Sequence, residues 1–376
     1  MTRLNPSAAA ADPVPVLGIA STPLIPESDA VLDELVFEAV SKALREAGIR
    51  KQEVDLSITA SLDIYDGRSI SSGLTNAASG GYLGQSYRLE GDAGQAIVAA
   101  AQTIAANDAD VVVAVGVYNP EVSAPDRRAF IQQISNYGFE PHFDRPVALS
   151  AETVWGLHAG HAVQAGLIDP DRLAALAADE ISRGATSPRT TRAHPVSAAD
   201  VASSDLVNGP LTELMLPADS TGAIAMVLGS LPRARRARTA RAILTGWGQG
   251  SADTTPAGTW LTDPAAPTRR AAAEAYTRAG VTWPTDQIEV VELTAPTPAL
   301  HEPILGALGL SGSGVSVNPS GGVRSSYPGV ANGALRLLEV VHALDEGTAA
   351  HGVAQSSDPL TGTIADTATV LVVEGI

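Results

Sequence analysis

The residues best placed to do chemistry lie in the stretch 318–329, where Asn318, Pro319, Ser320, Gly321 and Gly322 run on to Tyr327, Pro328 and Gly329. Glycines there let a ligand approach the backbone closely, and the free N–H groups of a helix opening after Gly329 favour a carbonyl or anionic oxygen. Tyr327 adds a phenol, a proton donor that can orient a carbonyl group. Several other chemistries are excluded. The chain has no cysteine, so disulfides, Cys-ligated metals and thiolate catalysis are ruled out. Its only lysines, Lys42 and Lys51, sit at the end of one amphipathic pattern, which leaves a Schiff-base mechanism almost no nucleophile. His158 and His161 share a helical face but lack a carboxylate partner in that pattern, a poor metal set. The glycine run from Gly309 to Gly314 precedes a strand instead of opening a helix, so it fails the dinucleotide context. No Gly-x-Ser-x-Gly elbow is present.

A scaffold must hold that loop. With 376 residues, 45% hydrophobic content and mean hydropathy of +0.10, the chain reads as soluble and globular with room for two core-forming units. Residues 1–13 read as a disordered lead without an apolar signal core, and no apolar run reaches membrane length; a cytoplasmic location is expected. A net charge of −17 argues against nucleic acid or an anionic membrane as partner. Strands are predicted at 14–20, 56–60, 110–118 and 369–374, and helices at 30–47, where Gly48 is a stop signal, and at 150–167 and 170–182. An alanine-rich helix follows Gly91–Gln95, small enough in its side chains to be buried on several faces. Another follows Gly329, with Leu335, Leu338, Val341 and Leu344 at three-residue steps. Residues 63–87 read as loops and short helix, and 183–218 as loop.

Two segments echo each other. Residues 42–60 line up with 274–295 as helix, Ala-Gly stop, polar turn and strand, and 87–118 match 315–344. The expectation is an α/β chain of two pseudo-duplicated βαβ halves. The N-terminal half takes 14–118 and 219–230, an inserted loop domain 119–218, a basic linker 231–241 and the C-terminal half 242–376.

The loop from Asn318 resembles the Asn-Pro-x-Gly-Gly … Gly-His-Pro … Gly signature of thiolases, with Tyr327 where that signature has His. The resemblance covers most of the chain and is nearest the sterol-carrier-type, or non-specific lipid-transfer, branch. It implies the thiolase fold of five layers (α/β/α/β/α) with a central pair of buried helices. It also implies a homodimer, or a heterodimer with a thiolase-like chain, through 63–87. A coenzyme A thioester would be the substrate, with no tightly bound cofactor. The inserted segment would hold coenzyme A, with Arg183, Arg189 and Arg192 pairing with its phosphates. Relatives of this branch pair with a small OB-fold partner bearing a zinc ribbon.

At the catalytic positions the chain departs from the family. The nucleophilic Cys aligns with Gly91, so no acyl-enzyme can form. Asp92 is the nearest ionisable group, either a catalytic base or, with Gln95, a capping box. Where the family places a polar oxyanion donor, this chain has Thr294-Ala295-Pro296-Thr297, so Thr294 offers a hydroxyl, and His301 follows on the next helix. Tyr327 is either an acid or base, or a filler of the space left by His. The close-approach positions Asn318, Gly321, Gly322, Gly333 and Ser220 are kept. Two functions are then expected. One is an enzyme that works on a carbon–carbon bond of an acyl-CoA without a covalent intermediate, as in retro-aldol cleavage of a β-hydroxyacyl-CoA. The other is a silent thiolase-like subunit or lipid carrier supporting an active partner.

Overall fold

The computed structural model describes residues 12–66, 71–120, 126–237, 240–251, 261–357 and 367–376. Eleven residues of the expected lead, 1–11, lie outside the described residues.

In chain order, the first half opens with β1 (Val14–Ser21), α1 (Leu32–Ala47), β2 (Leu56–Ala60), α2 (Asp63–Asp66), α3 (Ser71–Ser79), β3 (Gln85–Leu89), α4 (Ala93–Ala105) and β4 (Val111–Tyr118). The intervening segment carries α5 (Arg127–Tyr137), α6 (Ala151–Gln164), α7 (Pro170–Gly184), α8 (Ala198–Ser203) and the two-stranded β5 (Leu206–Asn208) and β6 (Leu211–Thr212). The chain then returns through β7 (Gly222–Gly229) and α9 (Leu231–Ala237). The second half has β8 (Ala242–Ser251), α10 (Ala266–Ala279), α11 (Pro284–Gln287), β9 (Val290–Glu292), α12 (His301–Ala307), β10 (Ser316–Val317), α13 (Asn332–Asp345), β11 (His351–Ser357) and β12 (Thr367–Glu374). The segment read as loop, 183–218, thus contains a helix and a hairpin, and the one read as linker begins with a helix.

Periodicity explains the main elements. In α1 the buried positions Leu32, Leu35, Val36, Ala39, Val40, Ala43 and Leu44 form one face, and Gly48 ends the helix in the left-handed region at φ 62°. β4 is buried at every position, as a strand covered on both faces must be. The alanines of α4 and the apolar run of α13 serve one purpose: these helices pack on each other and on strands of both halves. Their small residues permit the close approach.

The two halves mirror each other. β3-β2-β4-β7-β1 continues into β8-β12-β11-β9-β10, with β2 parallel to β3 and β4 in one half and β9 parallel to β10 and β11 in the other. α1 covers the outer face of the first half and α10 that of the second, while α4 and α13 fill the middle. This is the five-layer α/β/α/β/α arrangement. One detail goes further: antiparallel pairing of Val14, Pro15 and Val16 with Leu244, Ile243 and Ala242 joins the halves into a single ten-stranded ladder.

Candidate active site

Tyr327 is fixed by its backbone before its side chain is considered. Its N–H donates to the carbonyl of Ala218 at 2.7 Å, and its own carbonyl accepts from the N–H of Ser220 at 3.1 Å. Ser220 and Ser326 also share a hydroxyl–hydroxyl bond of 3.0 Å. The segment leading into β7 therefore holds the tyrosine like a short strand partner. The loop behind it is anchored by charge. Glu180, on α7 and 1% exposed, receives Nη1 of the fully buried Arg324 at 2.5 Å and Nδ2 of Asn318 at 2.7 Å. Glu292 on β9 receives Arg336 at 2.8 Å and both the backbone and the hydroxyl of Ser320. Burial pushes the Glu292 carboxyl up and the Arg324 guanidinium down, and in each pair the opposite charge works against that shift.

Tyr327, 2% exposed, forms part of the wall of a cleft of about 380 Å³ between the sheet and the intervening segment. Tyr118, the last residue of β4, lines the same cleft. Its ring lies against Gly329; a Cβ there would come within 2.4 Å of two ring carbons. Gly329 sits at φ 44°, so both its space and its backbone require glycine. Beside the phenols is Asp219, which accepts from Arg127 Nε at 2.5 Å; Arg127 Nη2 also reaches Thr221 Oγ1 at 3.0 Å. Burial raises the Asp219 pKa, with Arg127 and the Tyr118 phenol opposing. Its side chain keeps 35% exposure, so the cleft still hydrates it and moderates that rise. Farther along, Arg128 bridges Glu213 at 2.5 Å and Glu152 at 3.0 Å. Burial also raises the Glu152 carboxyl.

The other sequence-derived positions disperse. Arg192 lines the cleft; Arg183 does not, and bonds its own helix and the carbonyl of Val317. Arg189 grips Glu339 of α13 through both carboxylate oxygens, at 2.5 and 2.6 Å. Burial opposes the charge of Arg189, but the Glu339 bonds outweigh it and hold its pKa above the ordinary value. Two of its guanidinium nitrogens are thus engaged in an internal tie. Asp92 caps α4 through Gly94 N at 2.8 Å and also accepts from Ser356 Oγ and from the N–H of Gly333, at 2.5 and 2.9 Å. It is a buried junction of the two central helices, with a pKa raised by that burial despite these bonds. Gly333 is crowded by the same junction, since a Cβ there would stand 2.1 Å from Asp92 Oδ1. Gly321 and Gly322 have φ of 88° and 60° and are pressed against α7 and Asn318, so they serve chain packing. Thr294 is fully buried; it accepts from Asn332 Nδ2 at 2.7 Å and donates to the carbonyl of Gln355 at 3.3 Å. His301 opens onto a different hollow, beside Leu305 and Val317, where burial lowers its pKa against the pull of Glu180.

Sequence reasoning missed Tyr118, Arg127 and Asp219. One signal existed for Tyr118: it closes a fully apolar strand on a crevice side, where ligands of α/β sheets gather.

Superposition on solved structures decides the architecture. The chain aligns with the Ltp2–ChsH2(DUF35) aldolase at a TM-score of 0.75 and 20% identity, over 98% of this chain and 99% of that one. Human mitochondrial 3-ketoacyl-CoA thiolase aligns at 0.76 and 16% identity, covering 98% of this chain and 100% of the other. The chain has the thiolase fold. The same human thiolase in complex with CoA aligns equally well, at 0.76 and 16% identity over 98% and 99% of the two chains. No family model matches this thiolase-fold chain, and no curated protein matches it in sequence. Among the described residues, no helix is long and apolar enough to cross a membrane.

Proposed function

We propose that the chain binds an acyl-CoA thioester in the Tyr327 cleft and cleaves a carbon–carbon bond without a covalent acyl-enzyme. The observation that carries this reading is the convergence of Tyr327, Tyr118 and an Arg127-paired Asp219 on one hollow. The substrate class is a β-hydroxyacyl thioester and the reaction a retro-aldol cleavage. Asp219, whose pKa burial moves toward the working range, accepts the β-hydroxyl proton through Tyr118. The Cα–Cβ bond then breaks to give a carbonyl product and a thioester enolate. Tyr327 donates a hydrogen bond to the enolate oxygen, and the proton held at Asp219 returns to Cα, so no co-reactant is needed. A dimer is proposed at the open edge of β3, where Tyr87 and Leu83 are exposed.

A second reading, a binding subunit without turnover, is favoured by Thr294 and Asp92, whose polar atoms are engaged in internal bonds. Calorimetry with CoA and acyl-CoA on the purified chain, followed by a cleavage assay on β-hydroxyacyl-CoA, separates the two. In the enzyme, Tyr327→Phe lowers turnover by about 100-fold or more. Unchanged turnover removes Tyr327 from the mechanism, and binding without any cleavage selects the second reading.

A further inference from the structure

Three guanidinium groups line the Tyr327 cleft, and they are not alike. Arg127 is paired with Asp219, and Arg128 lies between Glu213 and Glu152. Arg192 has no carboxylate within ion-pair distance among the described residues. A single nitrogen, Nη1, makes its contacts, with the carbonyls of Leu214 at 3.4 Å and Leu216 at 3.3 Å. Its Nε and Nη2 make no hydrogen bond among the described residues. The neighbouring backbone is nevertheless held in place: Thr191 N–H donates to the carbonyl of Ser325 at 2.8 Å, two residues before Tyr327. A second donor stands in the same wall. Trp155 is 2% exposed, and its buried indole N–H has no hydrogen-bond partner among the described residues. A buried donor without an acceptor is costly, and Arg192, partly exposed, turns a guanidinium without a carboxylate partner to the cleft it lines. Both point to an acceptor, preferably anionic, supplied by whatever fills the cleft.

Resting on the reading of this cleft as an acyl-thioester site, we infer that its substrate has an acyl group ending in a carboxylate, bound by Arg192 with the Trp155 N–H alongside. Size assigns the anion to the acyl end. A hollow of about 380 Å³ that also contains Tyr327 is roughly 9 Å across, whereas the pyrophosphate of CoA is separated from its thioester by the whole pantetheine arm. The planar guanidinium fits a carboxylate in two-point contact. Burial and the nearby Arg324 both hold the Arg192 pKa down, to about 10, so an incoming negative charge relieves a tension already present.

Three probes of similar acyl length test this by calorimetry on the whole chain: glutaryl-CoA, its neutral isostere 4-carbamoylbutyryl-CoA, and hexanoyl-CoA, with free CoA as reference. Expected is tighter binding of glutaryl-CoA than of either neutral thioester by at least about 10-fold. In Arg192→Gln that preference vanishes, while free CoA binds as before. Equal binding of the three thioesters by the wild-type chain overturns the carboxylate assignment and leaves the acyl-CoA reading standing. This comparison needs no variant, so a misfolded Arg192→Gln does not blunt it. No binding of any thioester, nor of free CoA, overturns both.

Discussion

Replacing Glu180 by Gln tests whether charge holds the Tyr327 loop. The variant keeps the shape of the side chain and removes the charge facing Arg324, which is 0% exposed. The guanidinium then has only neutral acceptors, the Ala295 carbonyl at 3.2 Å and at most one amide oxygen, and the new NH2 group must face one of the donors Arg324 and Asn318. Breaking a buried pair by neutralising one partner costs about 3–5 kcal/mol, because the remaining charge is left uncompensated. For 376 residues at about 2.1 cal/mol/K each, 1 kcal/mol moves the melting temperature by about 1.3 °C. The expected fall is thus about 4–6 °C by scanning calorimetry. The double variant Glu180→Gln with Arg324→Met removes both charges while an amide oxygen still serves Asn318, and it should recover most of the loss, since a buried pair contributes little beyond an uncharged replacement. A Glu180→Gln protein melting within 1 °C of wild type refutes the anchoring argument. So does a double variant no more stable than the single one.

Other perturbations reach different parts of the structure. Gly333→Ala should destabilise by several kcal/mol in urea unfolding, because its Cβ would fall 2.1 Å from Asp92 Oδ1 and 2.5 Å from Gly94 N. Burial lowers the pKa of His158 from 6.5 to about 4, with His161 adding to the effect. The unfolded chain therefore takes up a proton that the native state refuses, and stability present above pH 6.5 is lost as pH falls toward 4, by up to about 3 kcal/mol. Unfolding followed across that range should show a flatter profile for His158→Phe. Asp219→Asn should cost about 10–100-fold in β-hydroxyacyl-CoA cleavage and flatten the acid limb of the pH–rate profile, whereas a parallel loss at every pH would assign Asp219 a structural part.

The sequence was most informative where a regular period meets a packed core. The α1 face, the strands β2 and β4, and the glycine stop at Gly48 follow from local pattern, because burial imposes period on side chains. The need for glycine at Gly321 and Gly322 was also legible, but not its cause: the glycines admit α7 and Asn318, which arrive from elsewhere in the fold. Arg189 shows the limit plainly. Its partner Glu339 is 150 residues away, so a surface loop rich in arginine and a buried clamp read alike in one dimension. The cleft was illegible for the same reason. Tyr118, Arg127, Asp219 and Tyr327 come from a strand end, a helix and two loops, with no spacing that marks them as neighbours. The helix and hairpin within 183–218 escaped because six- and three-residue elements are too short to show a period.

The junction at Asp92 has a consequence for how the chain is made. Its carboxylate bonds to Gly333 and Ser356, which lie 241 and 264 residues farther on, and both bonds are buried at the centre of the layers. A ribosome producing some 5–20 residues per second leaves Asp92 waiting on the order of ten seconds or more for these partners. During that time the apolar side of α4 that α13 will cover has no native cover. Such distant contacts also make folding slow once synthesis ends. The nascent first half is thus the stage at which this protein is most exposed to aggregation, and the period in which a chaperone would have the most effect on its yield.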